Sequence, residues 1–258
     1  GAYRVFFQRS GSIDTLTSAT FWTRGDSVFG SFIAADGDYG LLAGVQRGDS
    51  AVLDRFNGWQ ALKLELRNEG IAWSGNLFSR DLPPTPFRLE PRLAADPVVP
   101  PDRVTSALNA KAPFRFSGVT PEGEILTESS PRFKGKALIV DIMGTWCHNC
   151  LDAAPVLQRI AREFGSQGLE VVALSFELGD DTTAGRRNLA LFRKRYGITY
   201  TLLFCGSTDA RFTQPALHDQ LNNFYAYPTT LFLDRRGRIS AIHAGFRGPG
   251  SGQGHQNE

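Results

Sequence analysis

Two cysteines, Cys147 and Cys150, are separated by two residues and carry the clearest chemical signal in the sequence. The residues that follow have helical periodicity, so the pair is predicted to lie where a helix begins. A thiolate at that position is stabilised by unpaired backbone N–H groups and by the positive end of the helix dipole. Two intervening residues in the first turn also bring the sulfurs close enough to form a disulfide. We therefore predict that Cys147 is the exposed nucleophile and that Cys150 is the thiol that breaks the mixed disulfide.

Zinc sites also use this cysteine spacing, but zinc would need two further ligands. The remaining candidates, Cys205, His218 and His243, are scattered along the chain and have no paired spacing. We expect no metal and no cofactor other than a redox-active disulfide between Cys147 and Cys150. Cys205 is interpreted as a free, buried cysteine without a chemical role.

The elements around the cysteine pair follow an α/β pattern. Ala137–Met143 and Leu169–Phe176 are nearly continuous runs of apolar, β-forming residues, typical of strands buried on both faces. Between them, Cys150–Phe164 has an apolar stripe at three- and four-residue steps, which predicts a helix. Thr229–Leu233 and Ile239–Ala244 then read as a hairpin. This order predicts an α/β domain with a mixed sheet and flanking helices.

Residues from about 112 to 246 resemble the thioredoxin fold, specifically the TlpA/ResA-like thiol–disulfide oxidoreductases of the bacterial cell envelope. The resemblance rests on the cysteine pair and on four further segments: Lys134-Gly135-Lys136, Gly144-Thr145-Trp146, Pro155 and Tyr227-Pro228-Thr229-Thr230. It implies a protein disulfide reductase whose substrates are protein disulfides and whose electrons come from a membrane thiol donor. It also implies a periplasmic or cell-envelope location. Membrane attachment through a missing N-terminal leader is a further expectation, since the chain starts at Gly1 rather than Met.

The resemblance assigns roles to individual residues as well. Pro228 is implied to be the cis-proline that faces the disulfide and leaves the backbone of Tyr227 free to pair with substrate. Asp141, six residues before Cys147, matches the buried carboxylate that takes the proton of the resolving cysteine. The alternative is that Asp141 is only a hydrogen-bonded polar residue of the strand.

Five residues near the cysteine pair are candidates for tuning or for substrate contact. Glu177 follows the second buried strand and either shifts the thiol pKa values or is a solvated loop acid. His148 replaces the proline found in many relatives, and its imidazole would stabilise the Cys147 thiolate and make the couple more oxidising. Trp146 and Asn149, together with Tyr227, complete this group.

Composition bounds the remaining possibilities. The chain has 258 residues with 28 Lys+Arg and 26 Asp+Glu, and the net charge of +2 gives no reason to expect a nucleic-acid partner. Three cysteines are too few for a disulfide-stapled scaffold of this length. The length predicts two domains.

The pattern divides the chain at a proline-rich stretch. Residues 1–82 alternate short apolar runs with turn signals, which predicts a small antiparallel β domain, either a barrel or a curved sheet, of unknown role. Residues 83–104 are predicted to be an extended linker, because proline fixes φ and removes a hydrogen-bond donor. Residues 105–258 form the predicted thioredoxin-like domain. A glycine-rich stretch follows Ala244, so the helix that normally closes this fold is expected to be missing.

Three other functions stay open at this point. A peroxiredoxin-like peroxidase is one, although residues 141–147 do not reproduce the usual setting of a peroxidatic cysteine. A copper or haem-assembly module is another, given the cluster Cys147, His148 and Cys150. The β domain itself is a third, as the part that binds a partner or ligand.

Overall fold

The computed structural model describes residues 1–9, 12–14, 17–34, 36–57, 60–79, 83–92 and 105–251. The chain folds as two compact units, one formed by Gly1–Asp102 with Arg247–Glu258 and the other by Arg103–Phe246. Within the described ranges, no helix combines the length and the apolar character needed to cross a membrane.

The first unit is an antiparallel barrel. Eight strands follow one another around it and the last pairs with the first, which closes the sheet; two short strands pair at its side. The strands are β1 Ala2–Arg9, β2 Ser12–Asp14, β3 Ser18–Arg24, β4 Ser27–Ala34, β5 Gly37–Asp38, β6 Leu42–Arg47, β7 Ser50–Phe56, β8 Ala61–Asn68, β9 Trp73–Ser79 and β10 Thr85–Pro91; β2 and β5 are the side strands.

Alternation along the strands places the barrel core. In β8, Leu62, Leu64 and Leu66 are buried, whereas Lys63 between them is exposed. This period of two is what a strand with one face in the core and one in water requires. Closure also removes the exposed sheet edges that an open meander would leave.

The predicted linker is wrong over its first part, because Thr85–Pro91 is the strand that closes the barrel. Its two prolines fit because each is paired on one side only: Pro86 pairs with β9, and Pro91 pairs with β1. Proline has no backbone N–H, and a strand tolerates this at a position where no neighbouring strand is present on one side to accept a hydrogen bond. The rest of the predicted linker, residues 93–104, lies outside the described residues.

The second unit contains a seven-stranded sheet in the order β13-β12-β16-β15-β14-β18-β19. Its central strands β14, β15 and β16 are parallel, whereas β18, β19, β12 and β13 pair antiparallel. The strands of this unit are β11 Ser106–Ala107, β12 Ser117–Val119, β13 Ile125–Thr127, β14 Ala137–Met143, β15 Leu169–Glu177, β16 Thr201–Ser207, β17 Leu221–Asn222, β18 Thr229–Leu233 and β19 Ile239–Ala244; β11 pairs with β17 outside the sheet.

Three α-helices belong to this unit: α1 His148–Phe164, α2 Thr182–Tyr196 and α3 Ala210–Thr213. Helix α1 begins two residues before the predicted start, because Cys147 itself caps it. Helix α2 begins at Thr182, where the Asp181 carboxylate accepts hydrogen bonds from the amides of Thr183 and Ala184. Helix α3 is followed by a π-helical turn, Gln214–His218.

The end of the chain differs from the predicted domain boundary. Residues after Phe246 belong to the first unit, although residues 105–258 were predicted to form one domain. Between Ala244 and residue 251 the structure contains only a short 3₁₀ turn at 249–251 and no α-helix.

Candidate active site

Cys147 lies at the carboxyl end of β14 and caps α1. Its backbone is extended, with φ −86° and ψ 117°, and its Sγ accepts a hydrogen bond from the amide of Cys150 at 3.3 Å. This sulfur therefore lies against the unpaired N–H groups and the positive dipole end of the helix, the setting that favours a thiolate.

Neither cysteine of the pair is openly exposed. The exposed fraction is 6% for Cys147 and 1% for Cys150, and both are free thiols. The prediction that Cys147 is exposed is therefore wrong, because its side chain is buried. Cys147 is nevertheless the more accessible of the two cysteines. The Cys147 thiol donates a hydrogen bond to the carbonyl of Tyr227 at 3.2 Å, and this contact covers part of the sulfur.

The segment before β18 forms the wall opposite the cysteines. The peptide bond between Tyr227 and Pro228 is cis. The carbonyl oxygen of this peptide bond faces Cys147 Sγ. Thr229 anchors the turn, because its Oγ1 donates to the carbonyl of Ala226 at 2.8 Å. A backbone carbonyl is thus held beside the sulfur by residues 80 positions away in sequence.

Asp141 lies in the middle of β14, where it is 2% exposed. Burial raises the pKa of its carboxyl to about 7, and a hydrogen bond from Thr230 Oγ1 at 3.2 Å opposes that rise. The pKa of the Cys150 thiol is also raised, first by burial, then by its hydrogen bond with Cys147, and further by the negative charges of Cys147 and Asp141. The Asp141 carboxyl and the Cys150 thiol, both buried, therefore interact electrostatically.

Tyr200, just before β16, is a residue that the sequence analysis missed. It is 5% exposed, and its pKa is raised by burial and then by the charges of Asp141 and Cys150. In the sequence it is one aromatic residue beside a strand, and nothing there distinguishes it from ordinary core packing.

Glu177 lies at the end of β15 and is 4% exposed, so the alternative of a solvated loop acid is wrong. Its carboxylate accepts hydrogen bonds from the amide of Thr145 at 3.0 Å, from Thr145 Oγ1 at 2.6 Å and from Ser175 Oγ at 2.5 Å. Asn188 Nδ2 on α2 donates a fourth at 3.4 Å. These bonds fix the backbone two residues before Cys147.

A row of aromatic rings extends from the cysteine pair. The indole N–H of Trp146 donates to the carbonyl of Phe176 at 2.9 Å, and its ring meets Tyr227 edge to face at 5.4 Å between centroids. Tyr227 meets Phe224 at 5.2 Å, and Phe224 meets His218 on the π-helical turn at 5.7 Å. We call Trp146, Tyr227, Phe224 and His218 the aromatic row. The sequence predicted its first two members only.

The other predicted residues differ in accessibility. His148 is the first residue of α1 and is half-buried, whereas Asn149 is 2% exposed. Asn149 is therefore not available to touch a substrate, and its tuning role stays a prediction. Cys205 is half-buried on β16, and burial raises the pKa of its thiol to about 12. The described residues contain no group of three His, Cys, Asp or Glu side chains placed to hold a metal ion.

Part of the chain is similar to known proteins. The chain is 28% identical over 130 residues to the thioredoxin-like protein YneN of Bacillus subtilis, which covers 50% of this chain and 68% of that protein. It is 24% identical over 148 residues to the thiol-disulfide oxidoreductase ResA of Geobacillus thermodenitrificans, which covers 56% of this chain and 73% of that protein. A solved structure of a putative thiol:disulfide interchange protein DsbE from Chlorobium tepidum matches 55% of this chain and 89% of its own, with 21% identity and a TM-score of 0.41.

The family match covers the unit that holds the cysteine pair. The model of the AhpC/TSA family matches residues 108–242, just over half of the chain. This range runs from before β12 into β19 and includes every residue of the site described above. The chain therefore belongs to the AhpC/TSA family.

Proposed function

We propose that this protein is a thiol–disulfide oxidoreductase that reduces disulfides in other proteins through Cys147 and Cys150. The observation that carries the proposal is the position of Cys147 Sγ, which caps α1 and lies beside the carbonyl of Tyr227. Relatives named as thiol-disulfide oxidoreductases support the same activity.

The first step is attack on the substrate. The Cys147 thiolate attacks one sulfur of the substrate disulfide, a bond forms between Cys147 and that sulfur, and the other sulfur leaves as a thiolate that takes a proton. The α1 amides stabilise the attacking thiolate. The backbone of Tyr227, next to Pro228, pairs with an extended substrate segment beside the sulfur.

The second step is resolution by Cys150. Its thiol must lose a proton before it can attack, and burial makes that loss unfavourable. The Asp141 carboxylate, with a pKa of about 7, accepts this proton near neutral pH. The Cys150 thiolate then attacks Cys147 Sγ, the mixed disulfide breaks, and the second substrate sulfur leaves as a thiolate that takes up a proton. Two electrons have passed to the substrate, and Cys147 and Cys150 are joined as the redox-active disulfide.

Glu177 acts as a positioning residue in this scheme. By accepting hydrogen bonds from both the amide and the hydroxyl of Thr145, it fixes the turn that leads to Cys147. The indole N–H of Trp146 fixes the same turn to β15. Hydrogen bonds of Thr145 and Trp146 thus fix the two residues that come directly before Cys147, and with them the position of its sulfur.

The aromatic row forms the surface where the substrate chain is held. Its half-buried rings, Trp146, Tyr227 and Phe224, offer apolar faces beside the sulfur, which suits a side chain next to the substrate cysteine.

Re-reduction by a membrane dithiol donor and a place in the cell envelope complete the proposal. Fractionation of the native host with antibodies against the protein tests that location, and recovery with cytosolic markers would contradict it.

A trapping experiment tests the reaction. In a Cys205→Ser background, Cys150→Ser stops resolution, so protein substrates should stay attached to Cys147 and be released by dithiothreitol. The matched control, Cys147→Ser in the same background, should trap nothing. If the Cys150→Ser protein captures no protein while the unmodified chain consumes hydrogen peroxide with a thiol donor, the reductase function is refuted in favour of the peroxidase.

A further inference from the structure

The second unit has two opposite ends, and Cys147 lies at one of them. The first residues of β14 and β15 lie at the other end, where the amide of Ala137 donates to the carbonyl of Gly168 at 3.1 Å. The turn between β18 and β19 lies there too, since Leu233 pairs with Leu138. Helices α1 and α2 also end there, because the parallel strands β15 and β16 begin within a few residues of them.

This end carries more unpaired cations than unpaired acids. Lys136 Nζ pairs with the Glu170 carboxylate at 2.8 Å, and the two similar pairs are Arg238 with Asp234 and Arg193 with Glu122. Five further cations are exposed and have no ion pair among the described residues: Lys134, Arg162, Lys194, Arg235 and Arg236. We call these five residues the basic pole. Two unpaired acids, Glu124 and Glu163, oppose them, so an excess of positive charge remains.

An exposed aromatic ring lies beside these cations. Phe164 is the last residue of α1, two positions after Arg162, and it is 38% exposed. Arg235 comes from a different element but approaches the same connection, because a Cβ on Gly168 would lie 3.8 Å from its guanidinium. The pole therefore presents an apolar ring together with cations from separate elements.

These features fit an anionic lipid surface better than a folded protein partner. The centre of a protein–protein interface is depleted in charged residues and depends on shaped, well-packed contacts. The cations of the basic pole are exposed side chains without ion-pair partners in the described part of the chain, which suits the phosphates of lipid headgroups. A phenylalanine beside lysines and arginines is also what membrane-surface helices present to the boundary between headgroups and acyl chains.

We infer that the basic pole binds the surface of a membrane containing anionic phospholipids and that it holds Cys147 away from the lipid. The seven residues of β14 span about 23 Å between the pole and the cysteine end. This length exceeds the Debye length of about 8 Å at physiological ionic strength, so the lipid charge has little influence on the thiols. The inference does not depend on the proposed redox function, because lipid binding involves no reaction at Cys147.

Removing cations from the pole should weaken the binding by a predictable factor. Each Lys or Arg near an anionic lipid surface strengthens binding about fivefold, so the loss of two should weaken it about 25-fold. Arg235→Gln combined with Arg236→Gln removes two cations from the turn between β18 and β19. The matched control, Arg47→Gln combined with Arg187→Gln, removes the same charge from exposed positions outside the pole and should change binding little.

Co-sedimentation of the full chain with lipid vesicles measures this binding. Vesicles of phosphatidylcholine mixed with phosphatidylglycerol should bind the chain, whereas phosphatidylcholine alone should not. Raising the salt concentration from about 0.05 M to about 0.5 M should release the bound chain. Lys134→Gln combined with Lys194→Gln, in two other elements, should weaken binding as the turn variant does. No binding to the anionic vesicles, or equal losses in the control and the pole variants, would overturn the inference.

A second comparison separates lipid from other polyanions. Phe164→Ser should weaken vesicle binding about threefold or more, because the ring no longer enters the headgroup boundary. The same substitution should leave any binding to poly-L-glutamate, an acidic polypeptide, unchanged. If poly-L-glutamate binds as strongly as the vesicles, or if Phe164→Ser has no effect on vesicle binding, the lipid assignment is wrong.

A fluorescent label tests which end of the unit meets the lipid. The three native cysteines are replaced by serine, and an environment-sensitive fluorophore is attached at Gln167→Cys, near the pole, or at Thr183→Cys, in the first turn of α2. Emission at the first position should shift to shorter wavelength on anionic vesicles, whereas emission at the second should not. The opposite result would place the cysteine end on the membrane and refute the inferred orientation.

Discussion

Replacing Asp141 by asparagine tests how burial sets the chemistry of the second thiol. The asparagine keeps the shape of the side chain and an oxygen that accepts from Thr230 Oγ1, but it cannot ionise. Two results are expected: the second unit becomes more stable at alkaline pH, and resolution of the mixed disulfide becomes slower.

The stability change follows from the pKa. The carboxyl has its ordinary value of 3.8 in the unfolded chain and about 7 in the folded one, so the native state binds more protons between these values. Stability then falls as the pH rises from 4 to 7 and stays low above that range. At 1.36 kcal/mol per pKa unit, ionisation costs the folded state about 4 kcal/mol at pH 8. The asparagine variant should therefore exceed the unmodified chain by about 4 kcal/mol at pH 8 and by little at pH 4.

Calorimetry of both proteins between pH 4 and pH 8, with reductant present, measures this difference. The transition of the second unit is identified as the one that Asp141→Asn moves, and Asp219→Asn, at an exposed site of the same unit, is the control. The rate of resolution is measured by following release of a mixed disulfide preformed on Cys147. Loss of the general base should slow it by about 10²-fold at pH 7. Equal pH dependence in the two proteins would refute the burial of an ionisable carboxyl, and an unchanged release rate would refute its role as base.

Three other substitutions give distinct outcomes. Glu177→Ala leaves the Thr145 amide without its acceptor and should destabilise the second unit by about 1–3 kcal/mol in calorimetry, whereas Glu177→Gln should restore most of that loss; equal effects of the two would contradict a positioning role. His148→Pro removes the imidazole that was predicted to stabilise the Cys147 thiolate and should lower the reduction potential against glutathione by about 30 mV or more; an equal or higher potential in the variant refutes the role of the imidazole. Phe224→Ala should raise KM for a protein disulfide while leaving the rate with a small aromatic disulfide unchanged, and a parallel loss with both substrates would show that the aromatic row only supports the fold.

Local pattern was enough to predict the elements around the cysteine pair. The run Ala137–Met143 was predicted as a strand and is observed with the same bounds, because every residue in it is apolar or β-forming apart from one acid. The start of α1 was predicted two residues late, since the capping role of Cys147 depends on its sulfur accepting the Cys150 amide. The sequence pattern left a barrel and a curved sheet both open, because Pro86 and Pro91 in the closing strand look like linker residues until the strands that they pair with are known.

The sequence by itself determined the reactive pair, its place at the start of a helix and the change of pattern between the two halves of the chain. These are properties of neighbouring residues, and short-range periodicity and spacing encode them. Only the tertiary structure decided how each buried acid is hydrogen-bonded and which carbonyl faces the Cys147 sulfur. Glu177 and Asp141 are both carboxyls in the sequence. Four donors hold the first in place, whereas burial raises the pKa of the second to about 7 although Thr230 donates a hydrogen bond to it. That difference comes from residues distant along the chain, since burial and hydrogen-bond partners are set when strands and helices pack together.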